Sequence, residues 1–349
     1  MLENYRKMDT FVMWMSELVC DGLYSDRHVP TRAMLEEVLR LYKMATCKVM
    51  VIGGRGSDGS TTACHIFHPG DTQPDGLYSD YPMKITAHAM TGLKDGRVIA
   101  TGGTDDGVIA DKCYIFTYKQ GRWAETGRMH TPRYFHSVVT LEDGRVMAAG
   151  GAGTNGLRYT TFASIEFFDP VDEKWTVSMT HLPTRLVHHC AVVLCDGTVL
   201  FIGGMYHTGQ ENLTTAACYA YDYRTDSFEE RDRMHFMRQW HAACLLADGR
   251  VLVTGGRGHL YISGEKNVPS RITCELYDPA TNIWTRGRDM NYGWSLHQCI
   301  PTPTGAIIFG REIGRLISET YSLATGEWTM GYTLHKLLKL EAAASCSFF

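Results

Sequence analysis

The sequence is organised by a repeated pair of glycines that closes a short apolar run. Successive first glycines are separated by 48 to 55 residues. The repeated elements are Gly53-Gly54, Gly102-Gly103, Gly150-Gly151, Gly203-Gly204, Gly255-Gly256 and a sixth variant, Ile308-Phe309-Gly310-Arg311. Self-similarity at this period indicates an array of supersecondary units, because each unit must bury its apolar face against a neighbour.

Two further patterns recur in phase with the glycine pairs. Tight turns precede the apolar runs at Asp95-Gly96, Asp143-Gly144, Asp196-Gly197, Asp248-Gly249 and Thr304-Gly305. Aromatic residues recur seven positions apart after the glycines, at Phe116 and Trp123, Phe168 and Trp175, Tyr221 and Phe228, Tyr277 and Trp284, and Tyr321 and Trp328. Turn residues lie between the two aromatics of each pair, so each pair predicts two strands joined by a short connection.

A histidine lies seven residues before each of these tight turns. The five positions are His88, His136, His189, His241 and His297. Each histidine opens an apolar strand, so the unit contains four strands: A after the histidine, B ending in the glycine pair, C ending in the first aromatic, and D carrying the second.

These residues, together with the turn Asp95-Gly96-Arg97-Val98, resemble the kelch-repeat family over residues 47 to 349. The resemblance implies an all-β fold, a six-bladed kelch β-propeller with a short helical N-terminal extension. The first B strand, Lys48 to Ile52, has no A strand before it. We therefore expect residues 341 to 349 to pair with it, which would complete the first blade, close the ring and remove an exposed sheet edge.

The first 46 residues lack the repeat. Residues 3 to 20 and 31 to 44 predict two short helices, and Arg32 to Tyr42 resembles the end of the BACK region that precedes the propeller in BTB-BACK-kelch adaptors. The alternative is a helical cap on the first blade or an oligomer contact. The sequence therefore predicts an extension over 1–46 and a propeller over 47–349.

Composition restricts the classes of partner. The net charge is -4 with a pI near 6.4, and nucleic-acid binding depends mainly on basic side chains, so no nucleic-acid partner is expected. No apolar stretch could span a bilayer and no secretory signal is evident, so we expect a cytoplasmic protein without membrane contact.

Four of the cysteines, Cys64, Cys113, Cys218 and Cys274, lie three residues before the first aromatic and are expected to be buried packing residues.

No catalytic residue, metal site or cofactor is predicted. The phased histidines are spaced around a ring and cannot share one metal ion, so we expect them to form hydrogen bonds between blades. Some kelch-like propellers are enzymes, and the alternative function is a carbohydrate-active or copper-dependent oxidoreductase that uses the mouth of the channel. No nucleophile, carboxylate pair or phosphate loop stands out from the repeat to support it.

The predicted function is that of a protein-interaction scaffold or adaptor, because function on a propeller lies in the loops of a rigid scaffold. The D–A and B–C loops emerge on one face. The predicted binding residues in the D–A loops are Arg133, Tyr134, Arg185, Arg238, Trp240, Tyr292 and Trp294. Arginine and aromatic residues often anchor interfaces, and three arginines favour an acidic peptide partner. The alternative assigns the arginines to hydrogen bonds between blades. Actin is a further candidate partner.

Overall fold

The computed structural model describes residues 48–52, 55–56, 59–60, 62, 64–67, 78–105, 107–155, 158–208, 210–258, 272–312, 315–330 and 344–348. The predicted N-terminal extension, residues 1–46, lies outside the described residues. Within them the protein is an all-β propeller, and a 3-10 turn at Tyr118–Gln120 accompanies the strands. No helix among these residues is long and apolar enough to cross a membrane.

Repeats 2 to 6 each fold into an antiparallel four-stranded sheet in the order A–B–C–D, here called blades 2 to 6. Blade 2 contains Ala89–Gly92, Val98–Thr101, Cys113–Thr117 and Arg122–Glu125. Blade 3 contains Ser137–Thr140, Val146–Ala149, Ser164–Asp169 and Lys174–His181. Blade 4 contains Cys190–Val193, Val199–Ile202, Cys218–Asp222 and Ser227–Arg231. Blade 5 contains Ala242–Leu245, Val251–Thr254, Cys274–Asp278 and Ile283–Arg286. Blade 6 contains Gln298–Thr302, Gly305–Glu312, Arg315–Ser322 and Trp328–Met330.

A three-stranded sheet, here called the closing sheet, joins distant parts of the chain. It contains Lys48–Ile52, Cys64–Phe67 and Ala344–Phe348, with Lys48–Ile52 in the centre. Lys48 lies opposite Phe348 and Ile52 lies opposite Ala344, which confirms the predicted pairing of the C-terminal strand with the first B strand. The prediction of six equal blades is not met, because five described sheets have four strands and the closing sheet has three.

The register of the closing sheet differs from the sequence alignment. In blade 2 the last residue of strand B, Thr101, lies opposite Ala89, the residue after His88. The last residue of the first B strand, Ile52, lies opposite Ala344. The position equivalent to the histidine is therefore 343, two residues after the start of the predicted segment 341 to 349. The cause is a D–A connection that is two residues longer in the last repeat.

The innermost strands form a closed ring. Each strand A packs beside the strand A of the next blade, from blade 2 to blade 6. Ala344–Phe348 packs beside the A strands of both blade 6 and blade 2. The C-terminal strand therefore fills the gap between the last blade and the first complete one, and no A strand is left without a neighbour.

The core lies between neighbouring sheets. The B strands of blades 2 to 5 are buried along their whole length. The aromatic pairs are cross-strand neighbours in strands C and D, as in Phe168 opposite Trp175, whose rings are 5.2 Å apart. The indole of Trp175 also donates to the carbonyl of Gly127 in the D–A connection that leaves blade 2. The pair of blade 3 therefore fastens its own sheet to blade 2.

Candidate functional site

The D–A and B–C loops are fixed to each other by backbone pairing. The residue two positions before a phased histidine pairs with the residue that follows the glycine pair. These bridges are Thr86 with Thr104, Tyr134 with Ala152, Val187 with Met205, and Gln239 with Arg257. Four of the B–C loops contain short hairpins: Arg55–Gly56 with Gly59–Ser60, Thr104–Asp105 with Val108–Ile109, Ala152–Asn155 with Arg158–Thr161, and Met205–His207 with Asn212–Thr214. Within the described residues, these D–A and B–C loops are therefore connected to each other rather than independent.

The phased histidines occupy the space that the glycine pairs leave open. A Cβ atom on Gly102 would lie 2.9 Å from Cε1 of His136, and one on Gly151 would lie 2.7 Å from its Cβ. His136 thus fits between a glycine of blade 2 and a glycine of its own blade. Its Nε2 lies 2.8 Å from the hydroxyl of Thr101 in blade 2. Any other residue at either glycine would displace the ring.

The predicted hydrogen bonds between blades are confirmed for three of the five histidines. Besides His136, Nε2 of His189 lies 2.9 Å from Oγ of Ser137, and Nε2 of His297 lies 2.7 Å from Oγ1 of Thr254. Among the described residues, no group of three or more His, Cys, Asp or Glu side chains could hold a metal ion. Burial lowers the pKa of His88, His189, His241 and His297 to about 3, so these rings are neutral at pH 7.

The four cysteines of strand C are packing residues, as predicted. All four are buried and none forms a disulfide. Burial raises the pKa of Cys64, Cys113 and Cys218 to about 12 and that of Cys274 to about 11. The thiols therefore stay protonated at neutral pH and are poor nucleophiles.

Arg133 and Arg238 do not lie on the loop face. Both side chains are fully buried, and each guanidinium group pairs with a buried glutamate of its own blade: Arg133 Nη2 lies 2.6 Å from Glu166 Oε1, and Arg238 Nη2 lies 3.0 Å from Glu275 Oε1. Each guanidinium group also donates to carbonyl oxygens beside the glycine pair. The prediction that these arginines grip an acidic ligand is wrong, because the protein already supplies their carboxylates.

The backbone of both arginines contacts the preceding blade. The amide of Gly103 in blade 2 donates to the carbonyl of Arg133, and the amide of Gly204 in blade 4 donates to that of Arg238. The alternative prediction, hydrogen bonds between blades, therefore holds for the main chain, while the side chains bond within their own blade.

Trp294 takes the same buried position in blade 6. Only 2% of its surface is exposed, and its indole nitrogen donates to Glu319 at 2.7 Å. Its assignment to the binding surface is therefore also wrong. The equivalent residues three positions before the histidine are apolar in blades 2 and 4, Ile85 and Leu186. A sequence signal was available, because Glu166, Glu275 and Glu319 all lie two residues before the first aromatic, where blades 2 and 4 carry tyrosine.

The other four predicted residues are accessible to different degrees. Arg185 is exposed beside the buried Leu186, and Tyr134, Trp240 and Tyr292 are half-buried. Tyr134 contacts the ring of Phe135, which continues through His188 to Trp240, whereas Tyr292 lies beside Trp294 in blade 6. The structure therefore brings Tyr134 and Trp240 into one surface, whereas Tyr292 packs against Trp294 in blade 6.

The residue before each phased histidine has left-handed backbone geometry although it is not glycine. The φ angles lie between 51° and 58° at Ala87, Phe135, His188, Trp240 and Leu296. Such a conformation costs about 1 kcal/mol or more for a residue with a side chain. A relay of hydrogen bonds holds it: the amides of Phe135, His188, Trp240 and Leu296 each donate to the carbonyl of the equivalent residue in the preceding blade. These residues therefore link the beginnings of the A strands of blades 2 to 6.

Three of these residues form a continuous aromatic surface, here called the arc: Phe135, His188 and Trp240. The ring centroids of Phe135 and His188 are 4.3 Å apart, and those of His188 and Trp240 are 4.9 Å apart. The guanidinium group of Arg257 lies 5.8 Å from the Trp240 ring. Phe135 and His188 were absent from the predicted binding residues, because nothing in a single repeat marks the position before the histidine.

Comparison with known proteins agrees with this repeat. No protein-family model matches the chain. Kelch-like protein 36 of Rattus norvegicus is 28% identical over 57% of the chain and 32% of its own length, and kelch-like protein 38 of Mus musculus is 22% identical over 72% and 49%. Beta-scruin of Limulus polyphemus is 27% identical over 52% of the chain and 20% of its length. The chain is a kelch-repeat β-propeller.

The kelch propeller also has a structural counterpart. A solved structure of YjhT aligns with a TM-score of 0.64 over 84% of the chain and 99% of that structure, at 14% identity, which supports the fold alone. The chain spans between a fifth and a half of the length of the three curated relatives named above. Their activities and partners therefore do not transfer with the kelch repeat.

Proposed function

We propose that this kelch propeller is a protein-interaction scaffold or adaptor that binds a peptide or protein segment on the face formed by its D–A and B–C loops. The kelch-like relatives favour protein interaction over the oxidoreductase alternative. The observation that carries the proposal is a contrast within the repeat. The histidine is the same in five repeats, whereas the residue before it is Ala87, Phe135, His188, Trp240 or Leu296 in the same backbone conformation.

The proposal also covers the domain boundaries, the number of blades and the location of the protein in the cell. Residues 1–46 form a helical extension that precedes the propeller, which begins at residue 47. The closing sheet serves as the sixth blade of the ring. The protein acts in the cytoplasm. The pairing of Lys48–Ile52 with Cys64–Phe67 and Ala344–Phe348 supports the sixth blade, because these three strands already take the B, C and A positions of a blade.

An acidic partner depends on the arginines that remain accessible. Of the three predicted arginines, Arg185 alone is exposed, while Arg133 and Arg238 are neutralised by Glu166 and Glu275. If an acidic segment binds, Arg185→Ala should weaken binding several-fold and reduce its salt dependence, since an exposed pair contributes little and is screened by salt.

Site-specific photo-crosslinking tests the binding face. A photoreactive phenylalanine analogue replaces Tyr159, which is 49% exposed in the B–C hairpin of blade 3. The matched control replaces Val171, which is 87% exposed in the C–D turn at the opposite end of the same blade. In extracts of the native cell we expect a defined partner to crosslink through position 159 and not through position 171.

Two outcomes decide the proposal. Crosslinking through position 171 alone would move the binding surface to the opposite face. Crosslinking through neither position would remove the loop face as an interaction surface in that cell. Co-sedimentation with purified actin filaments tests actin as the partner, and identical thermal melting of both variants excludes misfolding.

A further inference from the structure

Two ring nitrogens in the arc lack a hydrogen-bonding partner. Among the described residues, neither Nε1 of Trp240 nor Nε2 of His188 has a donor or acceptor within reach. Both nitrogens are shielded from solvent, although the two side chains are only half-buried. An unsatisfied buried polar group costs about 1–3 kcal/mol. A ligand that satisfies both groups would recover that free energy.

The proton on His188 can be located from its neighbours. The side-chain amide nitrogen of Gln239 donates to Thr214 Oγ1 at 3.1 Å, which leaves its carbonyl oxygen 3.2 Å from Nδ1 of His188. A carbonyl oxygen only accepts, so Nδ1 carries the proton and Nε2 presents a lone pair. Burial lowers the pKa of His188 to about 4, so the ring is neutral at pH 7. The arc therefore places an N–H donor on Trp240 beside a nitrogen acceptor on His188.

A donor beside an acceptor matches the backbone of a polypeptide particularly well. In an extended chain the N–H and the C=O of one residue point to the same side, so the oxygen can accept from Trp240 while the N–H donates to His188. A carboxylate or phosphate offers oxygen acceptors and would bring negative charge against the lone pair of His188. The arc thus discriminates against an acidic side chain at this point, in agreement with the burial of Arg133 and Arg238.

The surroundings of the two nitrogens are apolar. Phe135 lies on one side of His188, and Leu296, which is 42% exposed, follows Trp240 in the backbone relay. The small and buried Ala87 occupies the equivalent position in blade 2. The large side chains therefore extend over blades 3 to 6, which leaves a short directional surface rather than a symmetric ring.

From this geometry we propose that the arc is a clamp for an extended, uncharged peptide segment. The N–H of one residue of the segment donates to His188 Nε2 and the C=O of the same residue accepts from Trp240 Nε1, while the flanking apolar side chains lie on Phe135 and Leu296. The indole of Trp240 turns as the segment enters, which opens both nitrogens to it. This inference rests on the proposed function and specifies the chemistry of its ligand.

Selection from a random peptide library tests the clamp. A phage-displayed library of random dodecapeptides is selected on the full chain, and enriched peptides are synthesised. We expect the enriched peptides to be uncharged and apolar. Their affinity for Trp240→Phe should be about tenfold lower, because the variant loses one hydrogen bond and a tenfold change corresponds to about 1.4 kcal/mol. Trp328→Phe makes the same chemical change on the outer strand of blade 6 and should bind as the unmodified chain does.

The peptide backbone provides the second arm of the test. Each amide of an enriched peptide is N-methylated in turn, which removes one N–H donor. One position should lose about tenfold in affinity for the unmodified chain and little for His188→Phe, because that variant no longer has the acceptor. Thermal melting of each variant checks that the propeller stays folded.

The outcomes separate the clamp from the proposed function. Enrichment of acidic peptides, or equal binding by Trp240→Phe, overturns the clamp and leaves the loop face intact. The absence of any enriched peptide also overturns the clamp if a partner crosslinks through position 159. Failure of that crosslinking removes the proposed function itself.

Discussion

Blades 4 and 5 fill the same buried position with opposite chemistry. Blade 5 uses the ion pair Arg238–Glu275, in which both side chains are fully buried. Blade 4 uses Leu186, which is 1% exposed, with Tyr219 packed against the same apolar cluster. In both blades the first member, Arg238 or Leu186, lies three residues before the phased histidine. The second member, Glu275 or Tyr219, lies two residues before the first aromatic of strand C. The fold therefore requires the space to be filled and the polar groups to be satisfied, and it does not require charge.

This difference agrees with the energetics of buried ion pairs. The desolvation of two charges offsets much of their attraction, so apolar residues of similar volume can replace a pair at little cost. Removing one member is different, because the other charge is then buried without a partner. Blade 5 is therefore more sensitive to single substitutions than blade 4, although both blades are built on the same backbone.

Acid should have the largest effect on stability, because it acts on the phased histidines, which blades 4 and 5 have in common with the other blades. Burial holds the pKa of His88, His189, His241 and His297 at about 3 in the folded protein, against about 6.5 in the unfolded chain. As the pH falls below 6.5, the unfolded chain binds protons that the folded rings do not. Each histidine then lowers the free energy of unfolding by about 1.4 kcal/mol per pH unit.

Four such groups would remove about 10 kcal/mol by pH 4.5, which is comparable with the whole stability of a domain. Urea unfolding at pH 7.5, 6.5, 5.5 and 4.5 measures this loss. His241→Asn should make the dependence shallower by one proton. A free energy of unfolding that stays constant from pH 6.5 to 4.5 would show that the buried rings are not held neutral.

The next largest effect should come from breaking the ion pair of blade 5. Glu275→Ala leaves the Arg238 guanidinium buried without its carboxylate, at a cost of about 3–5 kcal/mol. The double variant Arg238→Leu with Glu275→Tyr copies blade 4 and should restore most of that loss. Thermal or chemical unfolding measures both. A double variant as unstable as Glu275→Ala would mean that the two blades are not interchangeable at this position.

The smallest effect should come from a single hydroxyl group. Thr254 at the end of strand B in blade 5 bonds to His297, whereas Ile202 takes this position in blade 4 and offers His241 no hydroxyl. Thr254→Val makes blade 5 resemble blade 4 and should cost about 1 kcal/mol. Chemical unfolding at pH 7.5, with Thr281→Val in the exposed C–D turn of blade 5 as control, measures the difference. A loss above that of Glu275→Ala would reverse the expected order.

The periodic features of the fold could be predicted from sequence because they depend on local geometry. The glycine pair and the histidine recur together, since the ring of one occupies the space left by the other, as for His136 between Gly102 and Gly151. The pairing of the C-terminal strand followed from the absence of a first A strand. Its register was two residues off because loop length is not fixed by the repeat.

The site was harder to predict because its residues are defined across blades. Arg133 and Arg238 have the composition of a binding surface, and only the glutamates of strand C indicate that they are internal. Arg185 was grouped with them, although it is Leu186 that lies three residues before the phased histidine of that blade. The arc depends on a backbone relay between Phe135, His188 and Trp240, which no local pattern reveals.

The closing sheet has a consequence for biosynthesis. Lys48 and Phe348 are direct partners although nearly all of the propeller separates them along the chain. Contacts of such long sequence separation form late, because the intervening chain must first be ordered. The nascent protein therefore emerges from the ribosome with Lys48–Ile52 unpaired on that side until the strand at Ala344–Phe348 has been synthesised. During that interval it is open to chaperones and to strands of other chains.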